Sequence, residues 1–500
     1  MSIKEFLNLS AGNRTNTAIY ICVAFLVLLA ICPFIFSHPI YIWDESIYVN
    51  NSLEMVISKN FFSYQVDGQT NYYNVKPPLA LWSQAISMMI FGINDWSPRI
   101  PSFLAYLGIV FIIFRFAQQH ISLFAAIVSV LVFISVKGFL RPHVGLSADL
   151  DALLVFFIAA YTFYFLDCIL KDNAFHQKDY LILWVLLSLA ILTKSTAALL
   201  PLPGLALVLI WNNSLLRFMK SKYFWLYGIA GISMIILWYF IQYFISPEYV
   251  KLVWNTEIKR FTHNIMSWHN QPYYYYLQNI YIRFFDPYFF PLLLSPLGLL
   301  IADPKIKRVY LMVATVALAY LIIISYPIVK LEWYDAPLYP FFAVIVGLFA
   351  GTVVKYYTIN HPKNLGLGIQ ILIIVLIIIG PFRFLFKHNE ALLQVTDPLE
   401  LDGLALRELK RLDKLPPSTK VILPTSHLEH TFAALFYVRG FNYKYDYDLS
   451  ILPKIAEIKS GDYVLSSSVP SIDSLRVKFK LTEKSNVNSS TLYLVEPSVD

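Results

Sequence analysis

An apolar stretch of the chain occupies residues 148–167 and reads ADLDALLVFFIAAYTFYFLD. An α-helix needs about 20 residues of this kind to cross a hydrocarbon core of ~30 Å. Comparable stretches recur along the chain. They lie at residues 17–37, 99–118, 121–138, 148–167, 179–194, 197–212, 223–245, 286–302, 308–326, 334–353 and 366–384. The sequence therefore predicts a polytopic α-helical membrane protein with about eleven transmembrane helices.

The composition excludes several other classes of protein. Hydrophobic residues make up 57% of the chain and charged residues 14%, whereas soluble globular domains carry about 25% charge. Soluble, disordered and collagen-like chains are therefore excluded, and three cysteines give no readable disulfide framework. The net charge of +7 is not gathered in a basic arm. We therefore expect membrane lipids, and no nucleic acid, around this chain.

The Lys and Arg residues of the short connections set the orientation of the chain. With the amino terminus in the cytoplasm, every cytoplasmic connection except the tight turn near His120 carries Lys or Arg, as the positive-inside rule requires. These residues are Lys171, Lys178, Arg217, Lys220, Lys222, Lys305, Lys307, Arg308, Lys355 and Lys363. The first apolar stretch then reads as a retained signal anchor, and the odd number of spans places the carboxyl terminus outside.

The segments between and after the spans predict two further features. Residues 38–98 form a long outer segment whose apolar runs are too short to span, which favours helices lying in the interface. Residues 386–500 are less hydrophobic, with one amphipathic helix near residues 401–412 and strand-like runs at 421–423, 463–465 and 492–495. The prediction is a transmembrane domain over 1–385 and a small extracytoplasmic α/β domain over 386–500.

Acidic and basic residues collect at the outer ends of the predicted spans. Charges beside a bilayer are costly, and their concentration at one face indicates a site. The candidates are Asp44, Glu45, Lys76, Arg99, Asp149, Asp151, Lys194, Lys330 and Tyr334. Fixed cations stabilise a phosphate that gains charge as its bond to a sugar breaks, and a carboxylate can accept the proton of an acceptor. Asp44 is the first choice for that carboxylate, with Glu45 as the second catalytic candidate. The candidate cations for the donor phosphate are Lys76, Arg99, Lys194 and Lys330, and the candidate substrate-binding residues are Asp149, Asp151 and Tyr334.

Structural explanations compete for several of these residues. Lys76, Lys194 and Lys330 also suit interfacial anchors, and one of Asp149 and Asp151 also suits a helix cap. The tyrosine run at 273–276 is typical of the aromatic belt at a membrane interface. His263 and His269 do not have the spacing of a helical metal-binding pair, so no metal is expected.

Several motifs resemble a known family. WDESIY at residues 43–48, KPPLALW at 76–82, Phe91-Gly92 and RIPS at 99–102 resemble the first outer loop of the protein mannosyltransferase superfamily. Within it they are most similar to the bacterial branch that contains the aminoarabinose–lipid A transferases. LTK at 192–194 and KLEWYDAPLYP at 330–340 match further patterns of the family in the same order. The resemblance covers residues 1–385.

The resemblance implies a GT-C fold and a metal-independent, inverting glycosyltransferase that takes its sugar from a polyprenyl phosphate and needs no cofactor. It implies that Asp44 is the catalytic acidic residue, that Lys76 contacts the lipid phosphate and that Tyr334 lines the donor site. The branch commonly has an acidic residue before Lys-Pro-Pro, where this chain has Val75. The identity of the sugar is therefore open.

The leading hypothesis is transfer onto lipid A or a related envelope glycolipid at the periplasmic face of a bacterial inner membrane. A protein or polysaccharide acceptor is the first alternative. A hydroxyl acceptor would need Asp44 as a base, whereas a phosphate acceptor would need it only for orientation. A transporter or flippase of lipid-linked sugars is the second alternative, although no inverted repeat is visible in the sequence.

Overall fold

The structure is a computed structural model that describes most of the chain. The described residues are 14–62, 64–71, 73–171, 174–258, 269–360, 363–383, 386–387, 395, 397–423, 431–452, 455–487 and 489–497. Helices dominate up to residue 383, and a mixed sheet occupies the carboxyl-terminal part. Of the histidine pair discussed above, His263 lies outside the described residues.

The helices are numbered in chain order. Those before residue 212 are α1 (Arg14–Ile35), α2 (Asp44–Ser58), α3 (Leu79–Phe91), α4 (Ile100–His120), α5 (Leu123–Ile134), α6 (Asp151–Lys171), α7 (Gln177–Lys194) and α8 (Leu202–Trp211). Those up to residue 377 are α9 (Leu215–Lys220), α10 (Lys222–Ile245), α11 (Pro247–Val253), α12 (Tyr275–Asn279), α13 (Phe289–Leu294), α14 (Gly298–Ile301), α15 (Pro304–Ser325), α16 (Leu338–Asn360) and α17 (Lys363–Ile377). A short hairpin, β1 (Gln65–Val66) with β2 (Gln69–Thr70), follows α2.

Apolar helices account for every predicted span. Among the described residues, six are long and apolar enough to cross a membrane: Ser97–His120, Asp151–Lys171, Gln177–Leu199, Lys222–Ile245, Pro304–Ser325 and Leu338–Ile359. The other predicted spans coincide with shorter apolar helices: Tyr20–Ile35, Leu123–Ile134, Leu202–Trp211, Phe289–Ile301 and Leu367–Ile377. Proline explains one of these interruptions, because Pro296 lies in the 3₁₀ turn Ser295–Leu297 that separates α13 from α14 in the 286–302 stretch. The predicted helical membrane architecture is confirmed.

The centre of the bundle is α16. Its apolar window is 83% buried inside the protein, against 11% for α10, which therefore lies at the periphery. Helix α5 packs directly on α16. A Cβ at Gly347 would overlap Ser129 Oγ and the Ala125 carbonyl oxygen, so glycine allows the two backbones to approach closely.

Local sequence signals set several helix ends. Asp303 caps α15 by accepting a hydrogen bond from the Ile306 N–H at 2.9 Å, with Pro304 in the first turn. Ser122 caps α5 in the same way, through the N–H of Ala125. These caps satisfy backbone donors that would otherwise be unpaired at a helix start.

The carboxyl-terminal part folds as helices on a five-stranded sheet. The helices are α18 (Pro398–Arg411), α19 (Phe432–Tyr445) and α20 (Val469–Arg476), and the strands are β3 (Thr419–Val421), β4 (Ser450–Ile451), β5 (Tyr463–Ser466), β6 (Phe479–Val487) and β7 (Ser490–Pro497). The strand order is β4-β3-β5-β7-β6, with β3 parallel to β4 and β5, and β7 antiparallel to β5 and β6. The predicted small α/β unit is confirmed as a fold, and its boundary at residue 386 stays a prediction.

This tail packs on the outer segment that follows α1. The Ile40 N–H donates to the Tyr437 hydroxyl at 3.1 Å, and the Asn50 amide donates to the Phe432 carbonyl at 2.7 Å. Val49 of α2 shares a buried apolar cluster with Leu406 of α18. The carboxyl-terminal part therefore packs on α2 and fixes its position.

An ion pair between Arg439 and Glu54 also crosses this contact. Both side chains are only 10% exposed. Arg439→Ala would leave the Glu54 carboxylate without its cation, and we expect a loss of about 2–3 kcal/mol of stability because the pair is buried. The midpoint of thermal unfolding in detergent measures this loss of stability.

Arg476→Ala is the matched control. Arg476 pairs with Asp473 at 3.2 Å, but both side chains are 59% exposed, so we expect a much smaller effect. Equal midpoints for the Arg439 and Arg476 variants would contradict the role given to the buried pair.

Candidate functional site

A cavity opens near the ends of several membrane helices. Together with its opening to solvent it comprises about 1020 Å³. Apolar residues line most of it, and its polar side chains come from four segments distant in sequence. The lining residues are Lys76, Asp151, Leu154, Lys194, Thr196, Ala197, Leu200, Tyr320, Ile323, Ile324, Tyr326, Pro327, Val329, Trp333, Tyr334 and Pro337. Such a lining suits an amphipathic ligand with an anionic head.

Lys194 and Asp151 form a buried ion pair in this cavity. The Lys194 ammonium donates to Asp151 Oδ2, and the two side chains are 9% and 5% exposed. The ammonium also lies 5.6 Å from the centre of the Tyr334 ring. The structure thus brings three of the predicted site residues together.

The backbone of Lys76 is fixed by a frame of polar side chains. Its N–H donates to Asn74 Oδ1 at 3.0 Å, and its carbonyl accepts from the hydroxyls of Tyr64 at 2.8 Å and Tyr249 at 2.9 Å. The two prolines that follow cannot donate backbone hydrogen bonds and restrict the chain. The sequence Lys-Pro-Pro therefore places this lysine at the wall of the cavity.

Asp44 is the first residue of α2, outside the cavity lining. Its carboxylate is 37% exposed and lies 3.8 Å from His143 Nδ1. Trp43, which precedes it, has a φ of 64°, which is uncommon for a residue other than glycine. This backbone turn starts the helix directly at the acid, where the helix dipole favours a negative charge.

His143 is a site residue that the sequence analysis missed. Its Nδ1 donates to Asp149 Oδ2 at 3.0 Å, and its ring stacks on Trp333 of the cavity lining, with centroids 4.2 Å apart and planes at 13°. His143 thereby connects Asp44 to the cavity wall. A signal was available, because His143 and Asp149 lie in the same short outer connection.

The same three side chains are a candidate for binding a metal. Among the described residues, the ligand atoms of Asp44, His143 and Asp149 lie within 4.8 Å of one another. Burial alone would lower the pKa of His143, but the hydrogen bond and charge of Asp149, with the charges of Asp44 and Asp151, raise it to about 9. A metal would have to displace the proton that these carboxylates favour on the ring. Without a metal, the arrangement is that of a cationic ring between carboxylates.

Glu45 and Arg99 require a correction. We expected Glu45 to be catalytic and Arg99 to bind phosphate, but their side chains are 1% and 0% exposed and form two hydrogen bonds with each other, at 2.7 and 2.8 Å. The remaining Arg99 donors bind the carbonyls of His38 and Pro39, both at 2.7 Å, and of Ile35 at 3.4 Å. A charge that is neutralised and closed off in this way has no atom free for a substrate.

Lys330 requires a similar correction. It does not line the cavity, although its neighbour Val329 does. Its ammonium donates to the carbonyls of Gln271, at 3.0 Å, and Pro327, and its side chain is 2% exposed. Lys330 therefore ties two outer loops together instead of facing the cavity.

A second buried pair braces the outer loops and was also missed. Arg141 donates to Asp335 Oδ1 at 2.7 Å, and Asp335 Oδ2 accepts from the Tyr339 hydroxyl at 2.7 Å. Burial raises the pKa of Asp335 to about 6, although Arg141 and Tyr339 oppose the shift. The pair links the loop of His143 to the loop of Trp333.

Arg99→Ala tests the structural assignment of the Glu45 pair. It leaves a buried, unpaired Glu45 carboxylate, and we expect a loss of about 3–5 kcal/mol. Arg283→Ala is the control, because its pair with Glu332 is 60% and 46% exposed and should contribute less than about 1 kcal/mol. Thermal unfolding in detergent would contradict the assignment if the two variants unfolded at the same temperature.

Parts of the chain are similar to known proteins. Residues 75–240 match the family model described as dolichyl-phosphate-mannose-protein mannosyltransferase. An undecaprenyl phosphate-alpha-4-amino-4-deoxy-L-arabinose arabinosyl transferase of Shewanella sediminis is 27% identical over 269 residues, which cover 53% of this chain and 47% of that protein. An uncharacterised protein of Aquifex aeolicus is 28% identical over 281 residues, covering 56% of this chain and 61% of that protein. The chain thus spans about half the length of the curated relatives it matches.

The crystal structure of ArnT from Cupriavidus metallidurans bound to undecaprenyl phosphate has a similar fold. Its TM-score is 0.67 at 15% sequence identity, and the superposition covers 95% of this chain and 98% of that one. This similarity shows a shared fold along nearly the whole chain. Residues 75–240 are thus similar to the dolichyl-phosphate-mannose-protein mannosyltransferase family, and the resemblance noted in the sequence is confirmed.

Proposed function

We propose that this protein is a membrane glycosyltransferase that moves a sugar from a polyprenyl phosphate onto lipid A or a related envelope glycolipid at the periplasmic face. One observation carries the proposal. Lys76 and Lys194 lie at a cavity whose other walls are mostly apolar. A lipid phosphate needs both cationic and apolar contacts in one place.

The two lysines suit the leaving group of the reaction. When the bond between the sugar C1 and the phosphate oxygen breaks, negative charge develops on the phosphate, and fixed ammonium groups stabilise it. Lys194 is held in place by Asp151 before the donor arrives. The site therefore pays little reorganisation energy at the moment of bond breaking.

Asp44 suits the acceptor side. It is 37% exposed and lies 3.8 Å from His143, whose ring stacks on Trp333 of the cavity lining. An acceptor hydroxyl would form the new bond to C1 while its proton passes to the Asp44 carboxylate, and the polyprenyl phosphate leaves. An acceptor phosphate is already ionised, and Asp44 would then orient it.

A single displacement of this kind inverts the configuration of the sugar carbon, because the acceptor attacks from the side opposite the phosphate. The placement of the two lysines in the cavity lining, and of Asp44 outside that lining beside His143, supports this geometry. The anomeric coupling constant of the product, measured by NMR, distinguishes inversion from retention.

Asp44→Asn is the first functional test. It keeps the size of the side chain and removes its charge, so transfer to a hydroxyl acceptor should fall by roughly 100-fold or more. Asp67→Asn is the control, because Asp67 is an exposed acid of the same outer segment with a φ of 54°, which asparagine tolerates. Mass spectrometry of lipid A from host cells carrying each variant measures transfer.

The outcomes of this experiment distinguish the proposed function from its alternatives. A sugar-sized mass that requires the gene, is kept by Asp67→Asn and is lost with Asp44→Asn supports the proposal. Full transfer by Asp44→Asn would overturn the role of this residue. A new mass on a protein or polysaccharide instead of lipid A would replace the acceptor, and movement of the donor across liposomes without transfer would replace the enzyme with a transporter.

Lys76→Gln tests the donor side separately. Loss of one cation at the leaving phosphate should lower turnover by roughly 100-fold, about 2.7 kcal/mol of transition-state stabilisation. Lys251→Gln is the control, since Lys251 is exposed in α11 and is not among the cavity residues. Release of polyprenyl phosphate from purified donor measures the effect, and equal rates for the two variants would contradict the assignment.

A further inference from the structure

His143 is held from two sides in a way that leaves its ring little freedom. Asp149 accepts its Nδ1 hydrogen at 3.0 Å, and Trp333 covers one face of the ring at a centroid distance of 4.2 Å. The backbone of His143 has a φ of 67°, which is sparsely populated by residues other than glycine. Strained backbone of this kind persists where the surrounding structure fixes it, and it clusters at functional sites.

Asp149, which anchors His143, is itself buried. The Asp149 side chain is 2% exposed, whereas His143 is 26% exposed and Asp44 is 37% exposed. The Ser147 hydroxyl lies 3.4 Å from the same Asp149 oxygen, and the Ala148 N–H between them donates to Glu45 at 2.6 Å. The row Asp149, His143, Asp44 therefore runs from a fixed interior anchor to the surface.

We propose that His143 is a positioning residue, an imidazolium that is anchored by Asp149 and Trp333 and that fixes the Asp44 carboxylate for the acceptor. This inference rests on the proposed function, because it assigns the group through which Asp44 is oriented. The shared Nδ1 lies 3.0 Å from Asp149 and 3.8 Å from Asp44, so small movements of Asp44 bring it into direct contact with the cation.

The charges around His143 support a cationic ring. The charged groups that face it are Asp44 of α2, Asp149 of its own connection and Asp151 of α6, while the 332–335 turn contributes the uncharged Trp333. All three groups are carboxylates. Burial raises the pKa of Asp149 itself to about 7, and against the effect of burial on the ring the three carboxylates raise the pKa of His143 to about 9. The positioning cation is therefore present below that pH and is lost as the pH rises through it.

Two substitutions separate positioning from a merely structural role. His143→Asn tolerates the positive φ but removes the cation, and we expect kcat for transfer to fall at least 10-fold with the donor KM unchanged. His143→Arg keeps a planar cation that can stack on Trp333 and pair with Asp149. It should recover part of the rate, and its activity should persist above pH 9, where the wild-type rate declines.

Asp149→Asn supplies the coupled test. Without the carboxylate, the pKa of His143 should fall towards its ordinary value near 6.5, and the alkaline decline of the transfer rate should move to lower pH. An unshifted decline would overturn the inference. Dependence of the wild-type rate on a divalent cation would also overturn the inference. Such dependence would appear as loss of activity with EDTA and recovery with Mn²⁺. It would mean that a metal occupies the place of the proton.

A readout without substrate keeps this inference separate from the proposed function. In protein labelled with ¹⁵N-histidine, the His143 signals are assigned by their absence in His143→Asn and followed from pH 5 to 10. A pKa raised well above 6.5, and lowered by Asp149→Asn, supports the anchored imidazolium even if no transfer is found. Titration near 6.5 in the wild type overturns it even if transfer is normal.

Discussion

The site depends on the buried pair of Glu45 and Arg99. The Glu45 carboxylate accepts two hydrogen bonds from Arg99 and one each from the N–H groups of Tyr41, at 2.7 Å, and Ala148, at 2.6 Å. It thereby joins three segments that are distant in sequence, around Glu45, Arg99 and Ala148. Because Ala148 is bound to Glu45, the neighbouring Asp149 is brought close to Asp44. A buried ion pair is weak as a source of net stability, and its contribution here is to specify geometry.

The chemistry is divided between two neighbouring groups of side chains. Lys76 and Lys194 line a largely apolar cavity. Asp44 lies outside that lining and is partly exposed, and the stacked rings of His143 and Trp333 connect it to the cavity. A transferase that joins a lipid-borne donor to a separate acceptor needs this division, because the two substrates must reach one carbon from opposite faces. The tail domain stabilises this arrangement by packing on α2, the helix that begins at Asp44.

Hydropathy predicted the helices well because crossing a bilayer imposes a length and a composition on each span. The site was predicted less completely. Lys76, Lys194 and Asp151 were correctly placed together, but sequence does not reveal whether charges at one face serve a ligand or one another. Arg99 illustrates this limit, because its charge is paired with Glu45 and not with a ligand. His143 was missed because its role depends on Trp333, which stacks on its ring and lies 190 positions further along the chain.

A structure of the protein with a polyprenyl phosphate bound, determined by cryo-electron microscopy in nanodiscs, tests the central claim most directly. The account predicts that the phosphate lies within hydrogen-bonding distance of the Lys76 and Lys194 ammonium groups, with the isoprenoid chain against the apolar lining and the phosphate's free face towards Asp44. A phosphate bound elsewhere, with both lysines turned away from it, would contradict the account.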